Sequence, residues 1–142
     1  MHIAAEQTLH ATSVALGGRA ALIRGGSGSG KSALALQLIA MGACLVSDDR
    51  TIARREGDVL MLDAPEAIRG RIEARGVGIL HAPSAGKTAA ALVIDLAEQA
   101  QPRLPPEEET EILGVRLPLV RGMVAGHFAA AIHLYLHHGR AA

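Results

Sequence analysis

Gly25-Gly26-Ser27-Gly28-Ser29-Gly30-Lys31-Ser32 fits the pattern G-x-x-x-x-G-K-[ST], the phosphate-binding loop of many nucleotide-using proteins. Glycines let successive backbone N–H groups turn inward around a polyphosphate, where a Cβ would block the tight turns and the close approach. Lys31 supplies positive charge at the β/γ-phosphates, and the Ser32 hydroxyl can bind a Mg²⁺ that bridges them. The flanks suit the motif. Arg19–Arg24 is a short apolar run that reads as a strand entering the loop. Ser32–Met41 reads as a helix, with Gly42 placed to end it. A phosphate would thus lie at a helix N-terminus, where free N–H groups and the helix dipole favour anions. A Gly/Ser-rich turn with an accidental lysine is the plain alternative, and the strand–loop–helix context argues against it.

Outward from the loop, the 142 residues form one expected domain, spanning 1–142. Apolar residues make up 49% of the chain but aromatics only 1%, so the core has to be built from Ala, Val, Leu and Ile. Fourteen basic and fourteen acidic residues balance, which speaks against a broad nucleic-acid-binding surface. No apolar run reaches membrane-spanning length and no signal peptide opens the chain, so no membrane partner and a cytoplasmic location are expected. The single Cys44 forbids an internal disulfide and reads as a buried thiol in an apolar strand.

Leu9–Leu16 reads as a strand, and Gly17-Gly18 as a tight turn into Arg19–Arg24. Ala43–Ser47 reads as a second buried strand ending in Asp48-Asp49, and Thr51–Arg54 and Val59–Leu62 as a hairpin about Glu56-Gly57-Asp58. A polar stretch is expected from Pro65 to Arg75, followed by the glycine-punctuated Gly76–Leu80. Thr88–Leu96 reads as a strand, Gln99 to Glu111 as a solvated loop, Val115–Val120 with its Pro118 as an edge strand, and Val124–His138 as the last helix. Ser84–Thr88 imitates a second phosphate loop, but His81 stands where the first glycine is required. His133 and His137 share a helix face without the acid of a zinc-protease pattern.

A phosphate loop alone names no reaction. The discriminating feature is Asp48-Asp49, sixteen and seventeen residues beyond Ser32. Carboxylates at the end of a strand adjacent to the loop strand would face the bound phosphates. One could hold Mg²⁺ while the other meets an acceptor hydroxyl. The plain alternative is a solvated turn dipeptide.

With these stretches in view the chain resembles the HPr kinase/phosphorylase family, whose members phosphorylate a serine of HPr, the phosphocarrier of the sugar phosphotransferase system. Leu45-Val46-Ser47-Asp48-Asp49-Arg50 is similar to the family's aliphatic-x-Asp-Asp-Arg segment. Ile72-Glu73-Ala74-Arg75-Gly76-Val77-Gly78-Ile79-Leu80 resembles its I-E-x-R-G-x-G-I-aliphatic signature, and His10 precedes the Gly17-Gly18 turn where the family places a catalytic histidine. The likeness covers roughly residues 9 to 81 and is weaker through Leu117-Pro118 into the last helix.

The resemblance implies an α/β fold: a P-loop kinase core of the phosphoenolpyruvate-carboxykinase-like type, a mixed sheet with flanking helices. It implies an ATP-dependent serine kinase acting on HPr, with ATP and Mg²⁺ as cofactors and a weak reverse phosphorylase activity. Gly25, Gly26, Ser27, Gly28, Ser29, Gly30, Lys31 and Ser32 would bind ATP. Ser32 and Glu73 would ligate Mg²⁺. Asp48 would be the base toward the serine hydroxyl, with Asp49 beside it and the division of roles between them open. Lys31, His10 and Arg75 complete the implied catalytic set.

Two departures accompany the likeness. Family members carry a further N-terminal domain and C-terminal helices, so this chain reads as a short form keeping the kinase core, with its oligomeric state undetermined. Gly126-His127 stands where the family has Gly-Arg, and an arginine at a transfer site is worth about 10³–10⁵ in rate. A small-molecule kinase and a non-catalytic ATP-sensing module are the rival readings.

Overall fold

The computed structural model describes residues 5–97 and 101–142. Eleven strands and two α-helices follow one another among them. The strands are β1 (Glu6–Leu9), β2 (Thr12–Leu16), β3 (Arg19–Arg24), β4 (Cys44–Ser47), β5 (Thr51–Glu56), β6 (Val59–Asp63), β7 (Arg71–Ala74), β8 (Gly78–His81), β9 (Thr88–Leu96), β10 (Glu108–Ile112) and β11 (Val115–Gly122). The helices are α1 (Lys31–Ala40) and α2 (Phe128–His138).

Nine strands make one mixed sheet in the order β1-β5-β6-β9-β3-β2-β4, with β11 alongside β9 and β10 alongside β11. Its centre is parallel: β3 and β11 both run parallel to β9. The central strands are buried on both faces, as their unbroken apolar runs require. Alternation sorts them in register. Ala21, Ile23, Leu92 and Ile94 face the core under α1 and α2, together with Leu34, Leu38, Ile132 and Leu136. Ala20, Leu22 and Val93 face the opposite core, which no helix covers and which Ala53, Leu60, Leu62, Ile112, Leu117 and Leu119 close instead. Small and aliphatic side chains do this work throughout.

Several sequence expectations are corrected. The Leu9–Leu16 run breaks into β1 and β2 at His10 and Ala11, because β1 pairs with β5 while β2 pairs with β3 and β4. The stretch from Pro65 to Arg75 is not merely polar loop: it holds a short 3-10 turn and β7, which pairs with β8 as a separate two-stranded ribbon. Ile72 anchors that ribbon in the helix-side core. The loop expected from Gln99 to Glu111 ends in β10, and Gln99 itself lies outside the described residues. Glu108–Ile112 enters the sheet because β11 offers it a free edge, so β10 and not β11 is the edge strand. Pro118 is tolerated because pairing of β11 with β9 begins only at Leu119. The last helix starts at Phe128, not Val124. Cys44 is partly exposed, not buried.

The correction with most consequence concerns β4. It is not adjacent to the loop strand: β2 lies between them, antiparallel to both. Two antiparallel steps restore the original direction, so β3 and β4 still end at the same edge of the sheet, and β2 begins there. That edge carries the site.

Candidate active site

The segment after β3 turns through Gly25–Gly30 into α1. Gly25 has φ 159° and Gly30 φ 101°, the latter in the region that favours glycine. A Cβ on Gly25 would lie 2.5 Å from Ser29 Oγ, and one on Gly30 would lie 3.0 Å from Val124 Cγ2. At these two positions the loop leaves no room for a side chain, while Gly26 and Gly28 face open space. Lys31 is buried, 7% exposed, and its ammonium donates to the Gly25 and Gly26 carbonyls at 3.0 and 3.2 Å. The Ser29 hydroxyl is buried without a hydrogen-bond partner among the described residues. An orphan hydroxyl in such a loop costs free energy unless a polar ligand meets it.

Asp48 and Asp49 leave the end of β4 in different directions, because Asp49 takes the left-handed backbone conformation with φ 67°. Such conformations recur at functional sites, held in place by their surroundings. Here the hold comes from Thr12 at the start of β2: its hydroxyl donates to Asp48 Oδ1 at 3.1 Å and accepts from the Asp49 N–H at 3.0 Å. Asp48 Oδ1 also accepts from the Ser32 hydroxyl at 2.7 Å, and its Oδ2 from the Glu73 N–H at 3.0 Å. One carboxylate thus ties α1, β2 and β7 together. Asp49 has a different setting. It is exposed, and its Oδ1 accepts from His10 Nε2 at 2.8 Å. A pair so open to water contributes little to stability, about 0–1 kcal/mol, which leaves both groups available to a ligand.

A cleft of about 590 Å³ runs between α1, the phosphate loop and the β7–β8 ribbon. Lys31, Ser32, His10, Asp49, Glu73 and Arg75 all line it, together with the loop residues Ser27, Gly28 and Gly30. Asp48 stands behind this lining and not in it. Residues up to 65 positions apart in the chain therefore meet at one site, almost all of them named by the sequence. Among the described residues no three His, Cys, Asp or Glu side chains converge as a self-sufficient metal cage. The hard oxygens of Ser32 and Glu73 on the cleft wall suit Mg²⁺, which usually takes one or two carboxylates and completes its shell with water and substrate phosphates.

Thr12 escaped the sequence reading, for it belongs to no motif. Val124, Gly122 and Phe128 escaped it too. A Cβ on Gly122 would run into the Phe128 ring, so the turn from β11 into α2 is closed by a ring lying against bare backbone. That turn sets Val124 against Gly30. His127, where the resemblance leads one to expect arginine, occupies the N-cap position of α2 without a side-chain capping hydrogen bond and is exposed. Gly122→Ala should lower Tm by several degrees through overpacking, which typically costs about 1–3 kcal/mol. Phe128→Leu in the same chain should restore part of the loss in thermal unfolding, and absence of any rescue would disprove the ring contact as its cause.

Arg24 and Arg121 flank Asp95 at the ends of β3, β11 and β9. Asp95 is held by two Arg24 hydrogen bonds at 2.7 and 3.2 Å and so is engaged structurally beside the loop. Lys87 of the false phosphate loop pairs with Glu56 at 3.0 Å, and His133 and His137 meet edge to face, His133 also bonding the Met41 carbonyl.

The family model of the HPr serine kinase C-terminal domain matches residues 1–125. An HPr kinase/phosphorylase of Alkaliphilus metalliredigens is 41% identical over 123 residues, covering 78% of this chain and 40% of that protein. One of Azoarcus sp. is 38% identical over 137 residues, covering 87% of this chain and 44% of that protein. The chain therefore spans less than half the length of these relatives. The solved HPr(Ser) kinase/phosphatase of Coxiella burnetii superposes with a TM-score of 0.80 at 27% identity, covering 92% of this chain and 94% of that one. With the same mixed α/β architecture and the matching run of sequence, the chain belongs to the HPr serine kinase C-terminal domain family.

Proposed function

We propose that the protein is a Mg²⁺- and ATP-dependent kinase of a serine hydroxyl on HPr, built as a single P-loop catalytic domain of the phosphoenolpyruvate-carboxykinase-like type. The observation that carries the reading is the placement of Asp49 and His10 in the same cleft as Lys31 and the phosphate loop. Phosphoryl transfer is mostly positioning and charge neutralisation. The loop N–H groups and Lys31 would hold the β/γ-phosphates, and Arg75 on the facing wall would add charge where the transferred group spreads its own. Ser32 and Glu73 would hold Mg²⁺, which when bound would supply further neutralisation of phosphate charge, with Asp48 behind them fixing the Ser32 hydroxyl and the Glu73 backbone.

The carboxylate roles follow the hydrogen bonds. Asp48 is held by Ser32, Thr12 and the Glu73 N–H and is best used on the metal side. Asp49 is open to the cleft with His10 as its one side-chain partner among the described residues. We therefore assign to Asp49 the acceptance of the serine proton, in place of the Asp48 suggested by the family likeness alone. His10 orients the Asp49 carboxylate and lies where an anionic acceptor would gain from a hydrogen-bond donor. The same cleft supports weak transfer in reverse.

The test is incubation with γ-labelled ATP, Mg²⁺ and HPr. Label on an HPr serine is expected. Label on a small molecule in cell extract instead would mark a metabolite kinase, and nucleotide binding without any transfer would mark a sensing module.

A further inference from the structure

The junction of β1 and β2 reaches Asp49 twice. His10 meets the Asp49 carboxylate, and Thr12 meets the Asp49 backbone. His10 lines the cleft, whereas Thr12 is fully buried and stands outside the lining. We propose that Thr12 is a positioning residue for phosphoryl transfer: it aims the Asp49 carboxylate at the acceptor by holding the backbone that carries it. The inference rests on the assignment of Asp49 to the acceptor proton made above.

The bonds of the Thr12 hydroxyl can run in only one direction. Such a hydroxyl has one proton and two lone pairs, and an ionised carboxylate can only accept. The Asp49 N–H therefore takes a lone pair at 3.0 Å, and the proton goes to Asp48 Oδ1 at 3.1 Å. One buried oxygen thus bridges the side chain of residue 48 and the backbone of residue 49. Asp48 is fixed from its other sides by the Ser32 hydroxyl at 2.7 Å and the Glu73 N–H at 3.0 Å. Thr12 itself is paired with Ile23 of β3, beside the entry to the phosphate loop. Asp49 is consequently tied to groups that are themselves held.

What needs holding is a strained turn. Asp49 has φ 67°, and across it the Arg50 N–H donates to the Asp48 carbonyl at 2.8 Å. An i to i+2 bond about a residue of positive φ is the rare and strained form of the γ-turn. A residue with a Cβ keeps such a conformation only where its surroundings over-determine it. The Ser47 hydroxyl secures the far end of the turn by donating to the Arg50 carbonyl, but it does not touch Asp49. Take away the Thr12 hydroxyl and the Asp49 N–H loses its acceptor. Relaxation of residue 49 toward right-handed geometry would then carry its carboxylate off His10 and out of the cleft.

The next residue of β2 provides a control. Ser13 is equally buried, and its hydroxyl bonds Thr51 Oγ1 at 2.9 Å, which donates to the Ala11 carbonyl at 2.9 Å. None of these bonds reaches Asp48 or Asp49.

The experiment compares Thr12→Val, Thr12→Ser and Ser13→Ala in transfer from γ-labelled ATP to HPr. Calorimetry with Mg²⁺ and the imido analogue of ATP, and amide hydrogen exchange, are measured beside it. Valine keeps the shape of threonine without the hydroxyl, so kcat should fall about 10²-fold, the loss that a misplacement of about 1 Å can cause. Nucleotide affinity should change far less, because Asp48 keeps Ser32 and the Glu73 N–H. The Asp49 amide should lose protection from exchange while the Glu73 amide retains it. Thr12→Ser should recover most of the rate, and Ser13→Ala should lower Tm without lowering kcat. In an Asp49→Asn background Thr12→Val should cost little more, since two changes acting through one group do not add. Thr12→Ala replaces the valine variant should that one fail to fold. Wild-type kcat in Thr12→Val, failure of Thr12→Ser to recover the rate, or an undiminished further loss on top of Asp49→Asn would overturn the proposal and leave the kinase reading intact. If instead Asp49→Asn transfers at the wild-type rate, or wild type labels no HPr serine, the assignment of Asp49 falls and the proposal falls with it.

Discussion

Lys31→Ala should reduce kcat for phosphoryl transfer on the order of 10²–10³ at saturating nucleotide, as for the loss of one preorganised transition-state group. The buried ammonium now bridges the Gly25 and Gly26 carbonyls, so it is held at the loop before any ligand arrives and needs little reorganisation to meet a phosphate. Removing it takes away the charge and also leaves two carbonyls of a glycine-rich loop without their partner. Both effects point the same way. Nucleotide affinity should fall as well, since the ammonium faces the ground-state phosphates too. Lys31→Arg should not rescue, because a planar fork cannot occupy the place of a compact ammonium between two carbonyls. Rapid-quench transfer assays with calorimetry decide the matter, and wild-type turnover in the alanine variant would remove the loop from the mechanism.

Asp49→Asn should lower transfer to HPr by about 10²–10⁴, the usual contribution of a positioned general base, while nucleotide affinity changes little. The amide keeps the shape and an oxygen acceptor for His10 but loses the charge and the capacity to take a proton. Asp48→Asn should behave differently. Its carboxylate accepts from Ser32, Thr12 and the Glu73 N–H together, so an amide must turn one N–H toward a donor. The Mg²⁺ requirement should rise, and the KM for Mg²⁺–ATP should move more than the response to HPr. The two variants thus separate by which substrate's saturation curve is displaced. If Asp48→Asn leaves Mg²⁺ dependence alone and abolishes proton acceptance, while Asp49→Asn is mild, the assignment of roles must be reversed.

Much of the site could be seen in the chain before folding, for a physical reason. Gly25–Ser32 is a motif of consecutive residues, so its spacing alone points to phosphate chemistry. The Arg19–Arg24 strand, the Gly17-Gly18 turn, the Thr88–Leu96 strand and α1 were legible for a related reason: apolar period and turn residues are local properties. The edges of elements were less so. Glu108–Ile112 looks like a solvated acidic segment, and only the free edge of β11 makes it a strand. Ile72 reads as one apolar residue in a polar stretch until the helix-side core is present to receive it.

What tertiary structure alone decided is which group faces which. Asp48 and Asp49 are chemically identical and adjacent, and no sequence pattern distinguishes a carboxylate tied to Ser32 from one open to the cleft. That difference comes from the left-handed turn at Asp49 and from Thr12, which reaches it only because β2 lies between β3 and β4. The contact of Val124 with Gly30 is of the same kind. It joins the loop to a turn more than ninety residues later, and an interaction between distant residues through space leaves no periodicity in the sequence. The motif therefore made a phosphate loop legible, while the packing around it decided which carboxylate is tied to Ser32 and which is open to the cleft.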